Sequence, residues 1–324
     1  MPLDPYLAER LPLIESIQEL GREPDSSELA RVEEFLRDPA PWALPDVDVE
    51  DVSAPGPHGP VPLRLYRPRG ETPPRALLWA HGGGFASGTL DWNEAHVVSA
   101  ELAARAGAFV ASVDYRLASE AVRFPIPLDD VVAAWSWLAS PEGRRGGASV
   151  GNVARFAEGA PLALGGASAG GALALAAAVR LRDDGGTPPS SVLLAYPWAH
   201  FPVPALDDAT AEVLAGLPGM LRFTPESIEG MVRNYVGRTS DVPALALPGH
   251  ARLDGLPPVH VLLSEFDDLR PSGELLGRQL REAGVTANEY LARGMLHGHL
   301  NRLPSLGEVD ASLAWFAAAL RELG

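Results

Sequence analysis

Apolar and polar positions follow two different rhythms along this chain of 324 residues. Short apolar runs bounded by turn-forming residues predict strands over 47–52, 61–67, 76–80, 109–114, 161–164, 192–196, 259–264 and 287–291. Longer stretches with apolar residues three or four positions apart predict helices over 6–20, 26–37, 94–106, 128–139, 169–182, 272–283 and 306–323. From residue 75 onward strands and helices alternate, which predicts an α/β fold with a mostly parallel central sheet flanked by helices.

Two parts of the chain depart from this alternation. The strands over 47–52 and 61–67 are joined by a turn rich in proline and glycine, so we expect an antiparallel hairpin and a mixed sheet. The insertion at about 198–257 has no strand pattern and one helical stretch, 226–235, and it follows the carboxyl end of a strand, where sheets of this class bind ligands. We therefore expect residues 1–45 and this insertion to form a helical cap on a catalytic domain of residues 46–324.

Composition narrows the choice of partners and location. The chain is 46% hydrophobic and 21% charged, typical of a globular protein with a sizeable core, and no apolar run is long enough to cross a membrane. The net charge of −16 disfavours nucleic acid and anionic membranes as partners. The first residues, Met1 to Pro5, lack the basic start and apolar core of a signal peptide, so a cytoplasmic location is expected.

Two residue types are missing, and their absence restricts the chemistry. With no cysteine, the chain cannot use thiol catalysis, disulfides or thiolate metal sites. All 26 basic residues are arginine, so a Ser–Lys pair, a P-loop lysine and a Schiff base are excluded as well. Histidines and carboxylates do not occur at metal-ligand spacing, and we expect neither a metal nor another cofactor.

A glycine-flanked serine is the strongest chemical signal. The segment from Gly166 to Gly170 has the pattern G-x-S-x-G, with Ser168 at its centre. An apolar run precedes it and an alanine-rich helical run follows, which is the setting of a nucleophile elbow. The small neighbours allow the sharp turn that exposes a nucleophile. Because the chain has no lysine, the base that activates Ser168 must be a histidine.

Three further segments supply partners for Ser168. His81 is followed by three glycines, whose N–H groups, with that of Ala169, could bind an oxyanion. The strand over 259–264 leads to Asp267 and Asp268, either of which could be the acid. The last strand leads to His297, the candidate base. The chain order serine, aspartate, histidine is that of α/β-hydrolases, in which the acid orients the imidazole of the base.

Several motifs together give the chain a family resemblance. It resembles the hormone-sensitive-lipase family of α/β-hydrolases, the HGGG-type bacterial esterases, over about residues 45–324, and residues 1–45 resemble that family's N-terminal cap. The motifs that carry the resemblance are His81 to Phe85, Val113 to Ala118, Phe124-Pro125, Leu128 to Asp130, Gly166 to Gly171, Asp267-x-Leu269-Arg270 and His297-Gly298.

The resemblance implies a function and assigns residues to it. It places the nucleophile at Ser168, the acid at Asp267 rather than Asp268, and the base at His297. It places the oxyanion donors at Gly83, Gly84 and Ala169. It implies a carboxylesterase that acts on short- to medium-chain esters without a metal, and dimerisation through the last strand, as in many members. Amide, carbamate or lactone hydrolysis and acyl transfer could use the same residues. A non-catalytic ligand-binding protein is disfavoured, because nucleophile, acid and base are all present.

The substrate pocket is the least determined part of the prediction. Phe85, Trp92 and Trp198 follow strands or motif loops and could form its walls, although aromatic residues near strand ends are as often core. His299, at a position that is commonly aromatic in the family, could line the pocket or lie on a solvated loop. Ala167, before the nucleophile, replaces a residue that is often Asp or Thr, and this departure bears on substrate preference.

Overall fold

The computed structural model describes residues 2–17, 25–70, 72–145 and 154–323. Its eight strands are β1 (Val47–Ala54), β2 (Val61–Pro68), β3 (Ala76–Ala80), β4 (Phe109–Val113), β5 (Leu162–Ala167), β6 (Ser191–Ala195), β7 (Val259–Phe266) and β8 (Ala287–Leu296). They form one sheet in the order β1-β2-β4-β3-β5-β6-β7-β8. The β1–β2 and β2–β4 pairs are antiparallel and the other five are parallel, which confirms the predicted mixed, mostly parallel sheet.

Helices precede β1, connect the strands from β3 onward and follow β8. They are α1 (Pro5–Ala8), α2 (Ser26–Leu36), α3 (His96–Ala106), α4 (Ile126–Ala139), α5 (Pro141–Arg144), α6 (Ala169–Asp183), α7 (Asp208–Ala215), α8 (Pro225–Val236), α9 (Arg270–Glu282) and α10 (Gly307–Arg321). The start of α2 has a clear local cause: the side chain of Asp25 accepts the N–H of Glu28, and the side chain of Glu28 accepts the N–H of Asp25.

Alternating side chains of each buried strand enter two separate cores. In β3, Leu78 and Ala80 join the core under α4, α6 and α9, whereas Leu77 and Trp79 join the core under α3 and α10. This division follows from the two-residue period of a strand, and it places the expected helical layers on both faces of the sheet. The parallel strands β3, β5, β6, β7 and β8 therefore bring their carboxyl ends, and the loops that follow them, to one edge.

Several elements differ from the sequence prediction, and the short helix α5 was not predicted. The helix expected over 6–20 is wrong as a single element: α1 ends at Ala8 and a separate 3₁₀ turn spans Leu11–Leu13, because Pro12 has no N–H to continue the helix. Positions 18–20 of that prediction lie outside the described residues. The insertion contains a second helix, α7, that the pattern did not predict, and β8 runs five residues beyond its predicted end.

The insertion contacts both the first residues of the chain and the sheet's carboxyl edge. The N–H of Met220 donates to the carbonyl of Ile17 at 3.0 Å. Apolar residues of α8, including Ile228 and Val232, pack into the core that holds α4 and α6. These contacts hold α8 above the loops that follow the parallel strands.

Candidate active site

Ser168 lies at a strained turn between β5 and α6. Its backbone has φ 51° and ψ −116°, a region that residues with a side chain seldom occupy. The turn is tight: a Cβ on Gly166 would lie 2.5 Å from the carbonyl carbon of Gly170, and a Cβ on Gly170 would lie 2.2 Å from the carbonyl oxygen of Ala80. Only glycine fits at both positions, so the G-x-S-x-G pattern is a steric requirement of this turn.

Three polar side chains from separate segments form a relay at the carboxyl edge of the sheet. The Nε2 atom of His297 is 2.8 Å from the Oγ of Ser168, and its Nδ1 atom is 2.7 Å from Oδ2 of Asp267. An ionised carboxylate only accepts hydrogen bonds, so Nδ1 carries the proton and Nε2 is free to accept the hydroxyl proton of Ser168. The arrangement is that of a nucleophile, a base and an orienting acid.

The two neighbouring aspartates have separate partners. Asp267 is buried, and its second oxygen accepts the N–H of Leu269 at 2.7 Å, which fixes the carboxylate against His297. Asp268 points instead toward the insertion and accepts hydrogen bonds from Arg222 and from the N–H of Phe223. The structure therefore brings Asp267, and not Asp268, to the imidazole.

Nearby carboxylates adjust the basicity of His297. Burial by itself would lower the pKa of this imidazole, but the charge and hydrogen bond of Asp267, with the more distant charges of Glu94 and Asp268, outweigh burial and raise it. A raised pKa means that the imidazolium formed on accepting a proton is stabilised, as a general base in proton transfer requires.

The glycine loop after β3 offers free N–H groups beside the serine. Gly83 and Gly84 have φ values of 106° and 60°, which turn the backbone toward the cavity. In the described part of the chain, no hydrogen bond uses the N–H of Gly83, Gly84 or Ala169. Because Ala169 is the first residue of α6, its N–H also lies at the positive end of a helix. The three predicted donors are therefore available to a bound oxyanion.

The loop is supported from below by aromatic and imidazole groups. The ring of His81 stacks on Tyr115 with centroids 4.6 Å apart, and its Nδ1 is 2.8 Å from the carbonyl of Gly82. The hydroxyl of Tyr115 donates to the carbonyl of His81 at 2.8 Å. These contacts hold the glycines without taking part in the relay.

A cavity of about 660 Å³ opens at Ser168. Its wall includes Gly83, Gly84, Ser168 and His297, and one face of α8 forms the opposite side. The residues that α8 contributes are spaced three or four apart, as expected for one helical face: Ser227, Gly230, Met231 and Asn234. Of the predicted pocket residues, Trp92 lines this cavity and is 39% exposed.

The other predicted pocket residues lie elsewhere, and the expectation for them needs correction. Phe85 and Trp198 are buried beside the cavity, where Phe85 stacks on Tyr235 with ring centroids 3.8 Å apart. Their large rings fill the core under the loops and leave no face toward the cavity.

His299 is also a core residue rather than a pocket residue. Its two ring nitrogens lie 2.9 Å from the Oγ of Ser264 and 3.1 Å from the Oγ of Ser312. Burial, assisted by the nearby charge of His297, lowers its pKa to about 3. His299 is therefore a neutral, hydrogen-bonded side chain that supports the loop following β8.

Besides the face of α8, sequence reasoning missed Phe223, Glu94 and Asn301 at the cavity. Phe223 contributes a ring that meets His297 edge-on with centroids 4.6 Å apart. Glu94 and Asn301 line the cavity between the glycine loop and the loop that carries His297. A carboxylate before a helix is a common helix-start signal, so nothing in the pattern distinguished Glu94 from a cap.

The described residues hold neither a candidate metal site nor a helix that could span a membrane. Within residues 2–17, 25–70, 72–145 and 154–323, no three histidine or carboxylate side chains are grouped so that they could hold a metal ion. No helix in these ranges combines the length and the apolar character needed to cross a bilayer.

Comparison with known proteins agrees with this fold. The family described as "alpha/beta hydrolase fold" matches residues 77–301. Esterase LipI of Mycobacterium tuberculosis is 34% identical over 285 residues, which cover 83% of this chain and 80% of LipI.

Two solved structures are similar along nearly the whole chain. A hyperthermophilic esterase from the archaeon Pyrobaculum calidifontis superposes with a TM-score of 0.79 at 30% identity, covering 99% of each chain. An esterase from the bacterial hormone-sensitive lipase family superposes with a TM-score of 0.76 at 27% identity, covering 100% of this chain and 99% of that one. This chain therefore belongs to the family with the α/β-hydrolase fold, and within it to the esterases of the hormone-sensitive-lipase type.

Proposed function

We propose that this protein is a carboxylesterase that cleaves short- to medium-chain esters through an acyl-enzyme on Ser168. The observation that carries the proposal is the unbroken relay from Asp267 through His297 to Ser168 at the wall of the cavity. The relatives described above are esterases, and this relay has the geometry that ester hydrolysis needs.

The first half of the reaction transfers the acyl group to the enzyme. The Oγ of Ser168 attacks the ester carbonyl carbon while Nε2 of His297 accepts the hydroxyl proton. The carbonyl oxygen becomes an oxyanion, which the N–H groups of Gly83, Gly84 and Ala169 stabilise. The tetrahedral intermediate then collapses: the bond to the alcohol oxygen breaks, and the imidazolium gives its proton to the leaving alcohol.

The second half regenerates the enzyme. A water molecule gives a proton to His297 as its oxygen attacks the acyl carbon of the Ser168 ester. Collapse of the second tetrahedral intermediate breaks the bond to Oγ, returns the proton from His297 to Ser168, and releases the carboxylic acid. Throughout both halves Asp267 remains ionised and holds the imidazole in one tautomer.

The cavity wall indicates the class of substrate. Trp92, Phe223 and Met231 give it apolar surfaces, and its volume of about 660 Å³ suits an uncharged ester of moderate size. We propose that α8 and the residues before β1 act together as a cap that limits the length of the acyl chain. Dimerisation through β8, which lies at one edge of the sheet, stays a prediction.

A matched pair of serine variants tests this function. We expect wild-type protein to hydrolyse aryl esters with a steep fall beyond medium chains, and to be labelled at Ser168 by a serine-reactive phosphonate. Ser168→Ala should lose labelling and lower kcat on the order of 10⁶-fold, the scale of losing a triad nucleophile. Ser136→Ala, at an exposed serine of α4, is the control.

The outcomes separate the competing functions. Ester turnover that persists in Ser168→Ala would overturn the mechanism. Matched aryl amides in the same series distinguish an esterase from an amidase, because comparable rates on amides would favour the latter.

A further inference from the structure

A buried carboxylate that the reaction above does not use lies between the oxyanion loop and the base. Glu94 precedes α3, is 1% exposed, and reaches the wall of the cavity. Its Oε2 accepts the N–H of Gly82 at 2.6 Å. Its Oε1 accepts the hydroxyl of Tyr196 at 2.6 Å and the side-chain amide of Asn301 at 3.2 Å. One side chain therefore receives three hydrogen bonds from three segments.

Each of these segments carries part of the proposed machinery. Gly82 directly precedes Gly83 and Gly84, the proposed oxyanion donors. Tyr196 follows β6, and its ring meets that of His297 edge-on with centroids 5.0 Å apart. Asn301 lies in the loop after His297, and its Oδ1 also accepts the backbone N–H of Glu94 at 3.3 Å. Glu94 is therefore bonded to the residue before the donors, to the tyrosine that packs on the base, and to the loop that carries the base.

The glycine loop rests directly on this carboxylate. A Cβ added to Gly82 would lie 2.4 Å from Oε2 of Glu94, so the backbone at this position follows the position of the carboxylate. The contact is further fixed because the carbonyl of Glu94 accepts Nε1–H of the buried Trp79 at 2.8 Å. A shift of Glu94 would therefore displace Gly82 and, with it, Gly83 and Gly84.

The hydrogen-bond pattern around Glu94 fits an ionised carboxylate. Three donors converge on two oxygens, and a carboxylate, which only accepts, satisfies all three. An amide in its place would set its own N–H against the N–H of Gly82 or of Asn301. Burial is the larger effect and raises the pKa of Glu94 above its ordinary value, while the hydrogen bonds from Tyr196 and Gly82 and the charge of His297 favour the ionised form. The other titratable groups that face it are His297, His81 and Tyr115.

We propose that ionised Glu94 is a positioning residue for ester hydrolysis, which holds the oxyanion loop through Gly82 and stabilises protonated His297 by its negative charge. The inference rests on the proposed roles of the glycine loop and of His297. It adds two separate effects, one on geometry and one on charge, and two substitutions separate them.

Glu94→Gln keeps the volume of the side chain but removes the charge and one acceptor. We expect kcat to fall about 10- to 100-fold with KM changed less than threefold, since a displaced oxyanion loop affects the transition state more than the bound ester. The acidic limb of kcat/KM should move to lower pH, because the imidazolium of His297 loses a stabilising charge.

Glu94→Asp keeps the charge and withdraws the carboxylate from Gly82. For this variant we expect a lower kcat, with the acidic limb of the kcat/KM profile at the same pH as in wild type. The matched control is Glu101→Gln. It removes a carboxylate on α3 that accepts hydrogen bonds from the side chains of Trp42 and Arg105. It should change thermal stability without moving kcat or the acidic limb.

The measurements are pH profiles of kcat and kcat/KM on one aryl ester, with folding checked by circular dichroism. The inference would be overturned if Glu94→Gln folds, keeps kcat within twofold of wild type, and shows the acidic limb of kcat/KM at the wild-type pH. If neither Glu94 variant folds, the residue serves the fold alone, and the inference is likewise overturned. Failure of the proposed function itself is distinct, because wild-type protein would then lack ester turnover.

Discussion

At the scale of single residues, glycines mark where the backbone comes closest to the chemistry. Gly170, in the first turn of α6, packs against the end of β3, and a Cβ there would lie 2.2 Å from the carbonyl oxygen of Ala80 and 2.3 Å from that of His81. Both carbonyls are backbone atoms at the start of the oxyanion loop, so neither can move without displacing the donors. Gly230, in the middle of α8, has open space where its Cβ would be.

These two glycines should therefore respond in opposite ways to the same substitution. Gly170→Ala is expected to lower the free energy of unfolding by at least about 1–3 kcal/mol and to reduce kcat sharply, because overpacking moves the loop. Gly230→Ala is expected to raise the free energy of unfolding by about 0.5–1 kcal/mol, since alanine restricts the unfolded chain and favours the helix. Urea unfolding of both variants checks the signs. Equal stability changes would show that the packing around Gly170 adjusts more freely than its contacts imply.

At the scale of elements, one ion pair fastens the insertion to the active-site loop. The carboxylate of Asp268 accepts hydrogen bonds from Nε and Nη2 of Arg222 at 2.9 and 3.0 Å. It also accepts one from the backbone N–H of Phe223 at 2.7 Å. The Asp268 side chain is only 8% exposed, so solvent screens the pair weakly. Phe223 in turn meets the ring of His297. The position of the insertion is thus coupled to the orientation of the base.

A double-mutant cycle on this pair measures the coupling. Asp268→Asn and Arg222→Gln should each lower the free energy of unfolding and raise KM, because Phe223 and the wall of the cavity lose their anchor. We expect a coupling energy of about 1–2 kcal/mol between the two positions. Asp254→Asn is the control, since its partner Arg252 is exposed and such pairs contribute about 0–1 kcal/mol. Additive effects of the Asp268 and Arg222 variants would refute the coupling.

Elements also show where prediction from sequence succeeded and where it stopped. The period of two in strands and of three to four in helices located all eight strands, because buried faces require those rhythms. The motifs at Ser168 and His297 could be recognised in the sequence, because each places a reactive side chain next to glycine in a short pattern. Phe223 and Asn301 were invisible, since they reach the cavity through the path of the insertion and of a loop, which no local pattern specifies. Pro12 was a local signal against one long helix.

At the scale of the whole molecule, a buried polar side chain links the central sheet to the last helix near the candidate site. The loop after β8 contains His297, His299 and Asn301, and its Leu300 packs in the core under α3 and α10. His299 is held between Ser264 of β7 and Ser312 of α10, so it joins the sheet to the last helix. Its neutral state is a condition for that junction, because burial disfavours a positive charge and both ring nitrogens bond serine hydroxyls rather than a carboxylate.

The neutrality of His299 predicts how the molecule loses stability in acid. Its folded pKa of about 3 lies below the value of 6.5 for an unperturbed histidine, so the unfolded state binds the proton more tightly. Its contribution to stability is complete above pH 6.5 and is lost as pH falls toward 3, at about 1.4 kcal/mol per pH unit. Between pH 7 and 4.5, wild type should lose about 3 kcal/mol more than His299→Gln in urea unfolding. His250→Gln, at an exposed histidine, should lose as much stability over this pH range as wild type. Parallel losses in wild type and His299→Gln would show that another group controls acid unfolding.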